Sequence, residues 1–221
     1  SAIQCISNTY ELTEYFLNNS YKDDYDETKE FHIIVREWKR LIDGIWENNC
    51  TISPTSFIKT VKVISYKKGL INFVGMGQND VQEFLVFLID SIHEIIAKEV
   101  IIKISGKVMN ETDKMALEAM KMWKIFFKDS YSIMVDLFYG QLVSTIEVDN
   151  KVSSRNYDPC CYFSLPIPNK SNINIYDCFD LFTSTEVLDG ENMIKCEETG
   201  KMKIGKKTIK IWNFPKILII H

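Results

Sequence analysis

The sequence predicts an α+β fold, with helices gathered in the first two-thirds of the chain and strands in the last third. Two observations carry this. Apolar residues recur at helical spacing in segment after segment up to about residue 138, and beyond it the texture changes to alternating or continuous apolar runs of strand length. The clearest single element is the stretch 78–97, where Val81, Phe84, Leu85, Leu88, Ile92, Ile95 and Ile96 fall on one helical face.

Taken in order, residues 1–19 read as helix with a break near Ser7-Asn8-Thr9. Residues 20–30 (SYKDDYDETKE) are polar and acid-rich, a solvated loop. Residues 31–46 form a second helix whose buried face is Ile34, Trp38, Leu41, Ile42 and Ile45. Residues 50–63 form a third, opened by Ser53-Pro54 as cap and first helical position. Residues 67–77 are a loop with an apolar plug, Ile71-Asn72-Phe73. After the long helix, residues 99–108 alternate weakly and predict a short hairpin. Residues 111–127 and 130–138 predict two more helices. Strands are expected over 141–148, 161–166 and 207–221, with one helix over 175–182. No internal repeat or low-complexity tract is present.

Composition narrows the function classes. The 221 residues are 46% hydrophobic and 25% charged, the balance of an ordinary globular domain large enough for a sizeable core. A net charge of -4 and a pI near 5.5 disfavour a nucleic-acid partner, which calls for a clustered basic face. No apolar run reaches the ~18 residues of a bilayer span, and no signal-peptide pattern opens the chain. Cys5, Cys50, Cys160, Cys161, Cys178 and Cys196 are scattered rather than framed for disulfides. They point to a reducing interior, cytoplasmic or nuclear. The apolar run Ile217-Leu218-Ile219-Ile220 before His221 reads as a strand awaiting neighbours, so the chain is expected to be a segment of something longer.

The head of the long helix poses the main question. Asp80 and Glu83 lie one turn apart, after Gln78. As a capping box they start the helix and complement its dipole. As outward-facing carboxylates they receive a basic ligand, and arginine matches a carboxylate best. Both readings stand, and they are compatible. Two further motifs have bland explanations beside sharper ones. KMALEAMKMWKIFF is core packing with a solvated lysine face, or a methionine-lined partner groove. KMKIGKKTIK is a solvated hairpin, or a contact for an acidic partner. Glycine-rich phosphate loops are absent.

GQNDVQEFLVFLIDSIHE resembles the Gln-box of the ubiquitin-specific proteases, papain-like cysteine deubiquitinases. Other stretches resemble the same family in the same order. SAIQCISNTYELTEYFL is similar to the stretch after its nucleophile, and ISPTSFIKTV to the segment before the Gln-box. SIMVDLFYGQLVSTIE, CYFSLPIP and YDCFDLFTSTEVLDGENMIKC resemble its fingers region, and KIWNFPKILIIH the approach to its palm. The resemblance covers essentially the whole chain. It implies a hand-shaped fold: a helical thumb over residues 1–138, a β fingers region with one helix over 139–206, and the start of the palm sheet over 207–221. It implies ubiquitin or ubiquitinated proteins as partners, with no nucleic acid and no membrane. Gln78, Asp80 and Glu83 are the positions it assigns to ubiquitin contact, at the arginine-bearing tail.

The implied reaction is hydrolysis of the bond at the C-terminal glycine of ubiquitin, through a thioester. It needs a cysteine, a histidine base and an orienting Asp or Asn. The resemblance matches none of these within the chain: the nucleophile falls upstream of Ser1 and the base downstream of His221. Cys5 matches a non-catalytic position and is expected as a packed core thiol. His32, His93 and His221 are expected to be structural or boundary residues. No catalytic residue is therefore assigned, and the 221 residues alone are expected to be inactive. The alternative is a catalytically dead ubiquitin-binding module, or a scaffold that keeps only the fold. Many family members hold a four-cysteine zinc site at the fingertips. Here one CxxC pair is reduced to Cys196 and Thr199, and the other, around Val148 to Lys151, has no cysteine. No metal and no cofactor is expected.

Overall fold

The computed structural model describes residues 2–47, 51–75, 77–195 and 200–221. In chain order the helices are α1 (Ala2–Ser7), α2 (Tyr10–Leu17), α3 (Ile33–Trp46), α4 (Thr55–Lys67), α5 (Val81–Ile96), α6 (Glu111–Phe127), α7 (Ile133–Phe138) and α8 (Ile175–Phe182). The strands are β1 (Gly140–Val148), β2 (Lys151–Cys160), β3 (Glu186–Leu188), β4 (Ile194–Lys195), β5 (Met202–Lys203) and β6 (Gly205–Asn213). Two compact units form: Ser1–Ile101 with Lys128–Leu137, and Ile102–Phe127 with Phe138–His221.

The first unit is a helical cluster built by the expected faces. Phe16 of α2, Ile34, Trp38 and Ile42 of α3, Ile64 of α4 and Leu88, Ile92 and Ile96 of α5 are fully buried. Trp38 packs on Phe57 with ring centres 5.5 Å apart. The plug is a single 3-10 turn over Ile71–Phe73, and it buries Phe73 against Phe84 and Phe87 of α5. The far end of α5 is closed by a cation: Lys29 Nζ donates to the carbonyl oxygens of Glu94, Ile95 and Ala97 at 2.6, 3.2 and 3.1 Å. An ammonium there satisfies orphan carbonyls and opposes the negative end of the helix dipole.

Three local expectations change. Pro54 occupies the cap position of α4 rather than its first turn, and Ser53 Oγ bonds Thr55 Oγ1 at 2.8 Å instead of a main-chain amide. The buried face of α5 begins at Phe87, and Val81 is 52% exposed. The hairpin expected over 99–108 does not form. Lys98 and Val100 donate their amides to the carbonyl oxygens of Tyr131 and Lys128 at 3.0 and 2.8 Å, so the pairing partner lies across a helix rather than across a turn.

The second unit is a four-stranded antiparallel sheet in the order β2-β1-β6-β3, with a two-stranded β4-β5 ladder beside it. Strand β2 lies earlier than the strand expected at 161–166. It is joined to β1 by Asp149 and Asn150, both left-handed, with φ of 53° and 59°. That two-residue geometry matches the twist of a hairpin, and Asp and Asn tolerate it. Within 161–166 only a short parallel contact remains. Phe163 and Leu165 donate their amides to the carbonyl oxygens of Ile219 and His221, each at 2.9 Å. Helix α8 carries a reciprocal capping box between Asn174 and Asp177.

Helix α6 covers one face of this sheet. Ala119, Val143 and Tyr157 are buried together, with Met115, Met122 and Trp212 packed around them. Gln141 Nε2 donates to the Ala119 carbonyl oxygen at 3.0 Å, and Arg155 pairs with Glu118 at 3.4 Å. Gln141, Val143, Arg155 and Tyr157 therefore define the covered face. Strand alternation then places Leu142, Ser144, Ile146, Asn156, Asp158, Ile209 and Ile211 on the opposite one.

Candidate functional site

Gln78, Asp80 and Glu83 are all exposed at the start of α5. Asp80 is its N-cap, with extended backbone, and its Oδ1 accepts the Gln82 amide at 2.7 Å. Glu83 stands in the first turn, where the dipole favours an acid. Gln78 precedes the helix, and its neighbour Asn79 donates Nδ2–H to the Gly77 carbonyl oxygen at 3.2 Å. The capping explanation thus accounts for Asp80 through the amide two residues on.

Asp80 also lines a groove of about 290 Å³ between the starts of α1 and α5, with Ala2, Ile3, Phe73, Val81 and Phe84. Gln78 and Glu83 are not in that lining. The structure therefore draws one of the three residues into a concave site and leaves the other two on open surface. Its floor is apolar, its rim carries a carboxylate, and the helix N-terminus faces it. Such a site suits an extended chain with a basic side chain. Val81 and Ile3 were missed as site residues. Helical periodicity counts Val81 as core, and only the structure shows it exposed and in the groove lining.

The other chemistry-bearing residues occupy ordinary settings. Cys5 is exposed on α1 rather than packed in the core, while Ile6 and Ser7 beside it are buried. A one-residue rotation of a six-residue helix is enough to turn the thiol outward. Burial and the neighbouring Cys161 push the Cys160 thiol up to about 12, which makes it inert as a nucleophile. His32 Nδ1 lies 2.6 Å from the Tyr25 hydroxyl. His93 is half-buried between Ser132 and Ser130. Burial holds the His93 imidazole below its ordinary value, against the opposing effect of Asp90 and Glu94. Among the described residues no three His, Cys, Asp or Glu side chains are grouped to hold a metal ion. Cys50, Cys196 and Thr199 lie outside the described residues. No described helix is long and apolar enough to cross a membrane.

Comparison with known proteins gives a consistent picture. The family model for ubiquitin carboxyl-terminal hydrolase matches residues 1–221. Ubiquitin carboxyl-terminal hydrolase 2 of Homo sapiens is 33% identical over 227 residues, covering 100% of this chain and 37% of that protein. Ubiquitin carboxyl-terminal hydrolase 4 of Saccharomyces cerevisiae is 30% identical over 236 residues, covering 99% of this chain and 25% of that protein. The chain thus spans between a quarter and little more than a third of these relatives. Among solved structures, the SAGA Ubp8/Sgf11/Sus1/Sgf73 DUB module bound to ubiquitin aldehyde matches with a TM-score of 0.69 and 17% identity, over 100% of this chain and 43% of that one. At that identity the likeness is one of fold.

Proposed function

This chain belongs to the ubiquitin carboxyl-terminal hydrolase family and has the papain-like fold of its ubiquitin-specific proteases, and we propose on that premise that it is the substrate-gripping part of a cysteine-type deubiquitinase. The whole protein cleaves the bond after the C-terminal glycine of ubiquitin. A cysteine thiolate attacks the glycine carbonyl, the lysine or peptide amine leaves with a proton, and water releases the acyl group from sulfur. The nucleophile and base belong to parts of the protein other than these 221 residues, which by themselves bind ubiquitin without turning it over.

The observation that carries the reading is the match of the family model along the entire chain. Two features of the geometry support the division of labour. The sheet face opposite α6 presents half-exposed Leu142, Ile146, Ile209 and Ile211 among polar neighbours, a surface fit to hold a globular partner. The groove rimmed by Asp80, with Glu83 one turn on and Gln78 before it, takes the arginine-bearing tail. Among the described residues, free Cys5, Cys160 and Cys178 support a cytoplasmic or nuclear setting.

The test uses the full-length protein and ubiquitin bearing a thiol-reactive group at its C-terminus, read by intact mass. An adduct on a cysteine outside this chain is the expected result. Reversible binding with no adduct would make the protein a binding module without the chemistry. No binding at all would remove the ubiquitin reading and leave only the fold.

A further inference from the structure

The back of the fingers, on the α6 side of the sheet, holds a groove of about 410 Å³ that the proposed ubiquitin contacts do not use. Its lining includes Ile102, Ile104, Met120, Trp123 and Trp212. Both walls leave main chain unpaired. β3 covers the outer side of β6 only over Gly205–Lys207, so among the described residues the stretch 208–213 has β1 on one side and no strand on the other. Trp212 and Asn213 of that open edge line the groove. The facing segment, 101–108, makes no main-chain hydrogen bond among the described residues. Its side chains nevertheless alternate as in a strand: Ile101 and Lys103 point out, Ile102 and Ile104 are half-buried.

The charged side chain in the lining is a lysine, and three more lysines lie along the elements that line it. Lys103 is in its lining, Lys107 continues the same segment, Lys124 lies one turn beyond Met120 on α6, and Lys210 precedes Trp212 by two residues on the covered face. None of the four forms an ion pair among the described residues, whereas Arg155 on the same face is paired with Glu111 and Glu118. Among the described residues no acidic side chain lines the groove.

We propose that this groove is a docking site for an extended acidic segment of a partner protein, which adds as a strand between β6 and residues 102–105. Strand addition takes its affinity from main-chain hydrogen bonds and its selectivity from alternate side chains. An incoming strand with apolar residues on one side would seat them against Met120, Trp123 and Trp212. Lys210 shares the face of Trp212, so a carboxylate at the end of that apolar side would meet Lys210, and carboxylates on the other side would meet Lys103. Lysines on an open edge also discourage pairing with a second copy. They admit an acidic strand and repel a basic one, which is selectivity by repulsion as well as attraction.

The experiment uses the whole protein and a fluorescein-labelled peptide of about ten residues, a common strand length, alternating glutamate with valine and ending on two glutamates so that one carboxylate falls on the valine side. Anisotropy reads binding. Binding by this peptide is expected, with none by a version carrying lysine for glutamate and none by a version with proline at alternate positions, which cannot form the ladder. Lys103→Glu with Lys210→Glu, both exposed and outside the core, should weaken binding by about tenfold or more, since two attractions become repulsions. Far-ultraviolet circular dichroism checks that the variant is folded. Equal binding of the lysine peptide, unchanged affinity in the double variant, or no binding at all would overturn the proposal. Onset of self-association in the double variant with peptide affinity unchanged would also overturn it, and would assign the lysines to edge protection alone. The outcome is independent of ubiquitin binding, which is measured on the opposite face.

Discussion

Ser132 Oγ lies 2.8 Å from His93 Nδ1 and at the same time accepts the Met134 amide at 3.1 Å. The other ring nitrogen, Nε2, lies 3.1 Å from Ser130 Oγ, so both nitrogens face a serine hydroxyl. The neutral imidazole ties α5 to the turn that starts α7. Protonation turns both nitrogens into donors, so whichever serine hydroxyl had donated to the ring would have to find another acceptor.

A pH dependence of stability follows. Burial lowers the His93 pKa below its ordinary 6.5, helped by the Lys29 charge and opposed by Asp90 and Glu94. As pH falls, the unfolded chain takes up the proton first. The contribution is therefore complete above about pH 6.5 and is lost as pH falls from there through the folded-state value. Urea midpoints measured from about pH 8 to pH 5 should fall more steeply for the native protein than for His93→Gln. Parallel profiles would show that His93 is not the titrating group.

The two roles of Asp80 can be separated by substitution. Asp80→Ala removes the cap on α5 and should cost about 1 kcal/mol. Asp80→Asn keeps an accepting side-chain oxygen and should leave stability nearly unchanged. Glu83→Ala should cost only a few tenths of a kcal/mol, the size of an exposed dipole interaction. If the tail reading holds, Asp80→Asn weakens ubiquitin binding without lowering the thermal midpoint. A variant that loses neither property would leave Asp80 as a cap with no part in recognition.

Gly140 is required where β1 leaves α7. A Cβ there would come within 2.5 Å of the Asn213 carbonyl oxygen and 2.8 Å of Pro215 Cδ. Neither the β6 main chain nor a proline ring can swing aside. Gly140→Ala should destabilise the second unit by about 1–3 kcal/mol, the range for overpacking. Gly205→Ala is predicted to be milder, because its first obstacle is Cδ1 of Ile194, the end of a flexible side chain. Denaturant titration of the two variants should reproduce that order.

The β1–β2 turn invites a stabilising change. Asn150 holds a left-handed backbone at φ 59°, which glycine adopts without a Cβ penalty. Asn150→Gly, giving the Asp-Gly pair favoured in such hairpins, should stabilise by about 0.5 kcal/mol. A lower thermal midpoint in that variant would mean that the Asn150 side chain does more than tolerate the turn.

The elements whose signals are local were legible in the sequence. Helices α3, α6 and α8 and strand β1 stand within a residue or two of where the residue pattern placed them, because apolar spacing and turn chemistry act over a few neighbouring residues. The acid at the head of α5 was legible as a cap for the same reason, and the family pattern followed from the order of such stretches. Tertiary structure decided what covers each face. Periodicity gave Val81 and Cys5 an apolar helix to sit on, but their exposure depends on how α1 and α5 are rotated against their neighbours. Residues 99–108 carried strand character read as a hairpin, but the partner that 98–100 find, at 128–131, lies beyond a whole helix. Strand β2 is too polar to declare itself; its ladder with β1 and the cover of α6 over Arg155 and Tyr157 make it a strand. Which residues converge on the Asp80 groove, and which main-chain edge of β6 stays open, depends on contacts distant in sequence, and these leave no periodic trace along the chain.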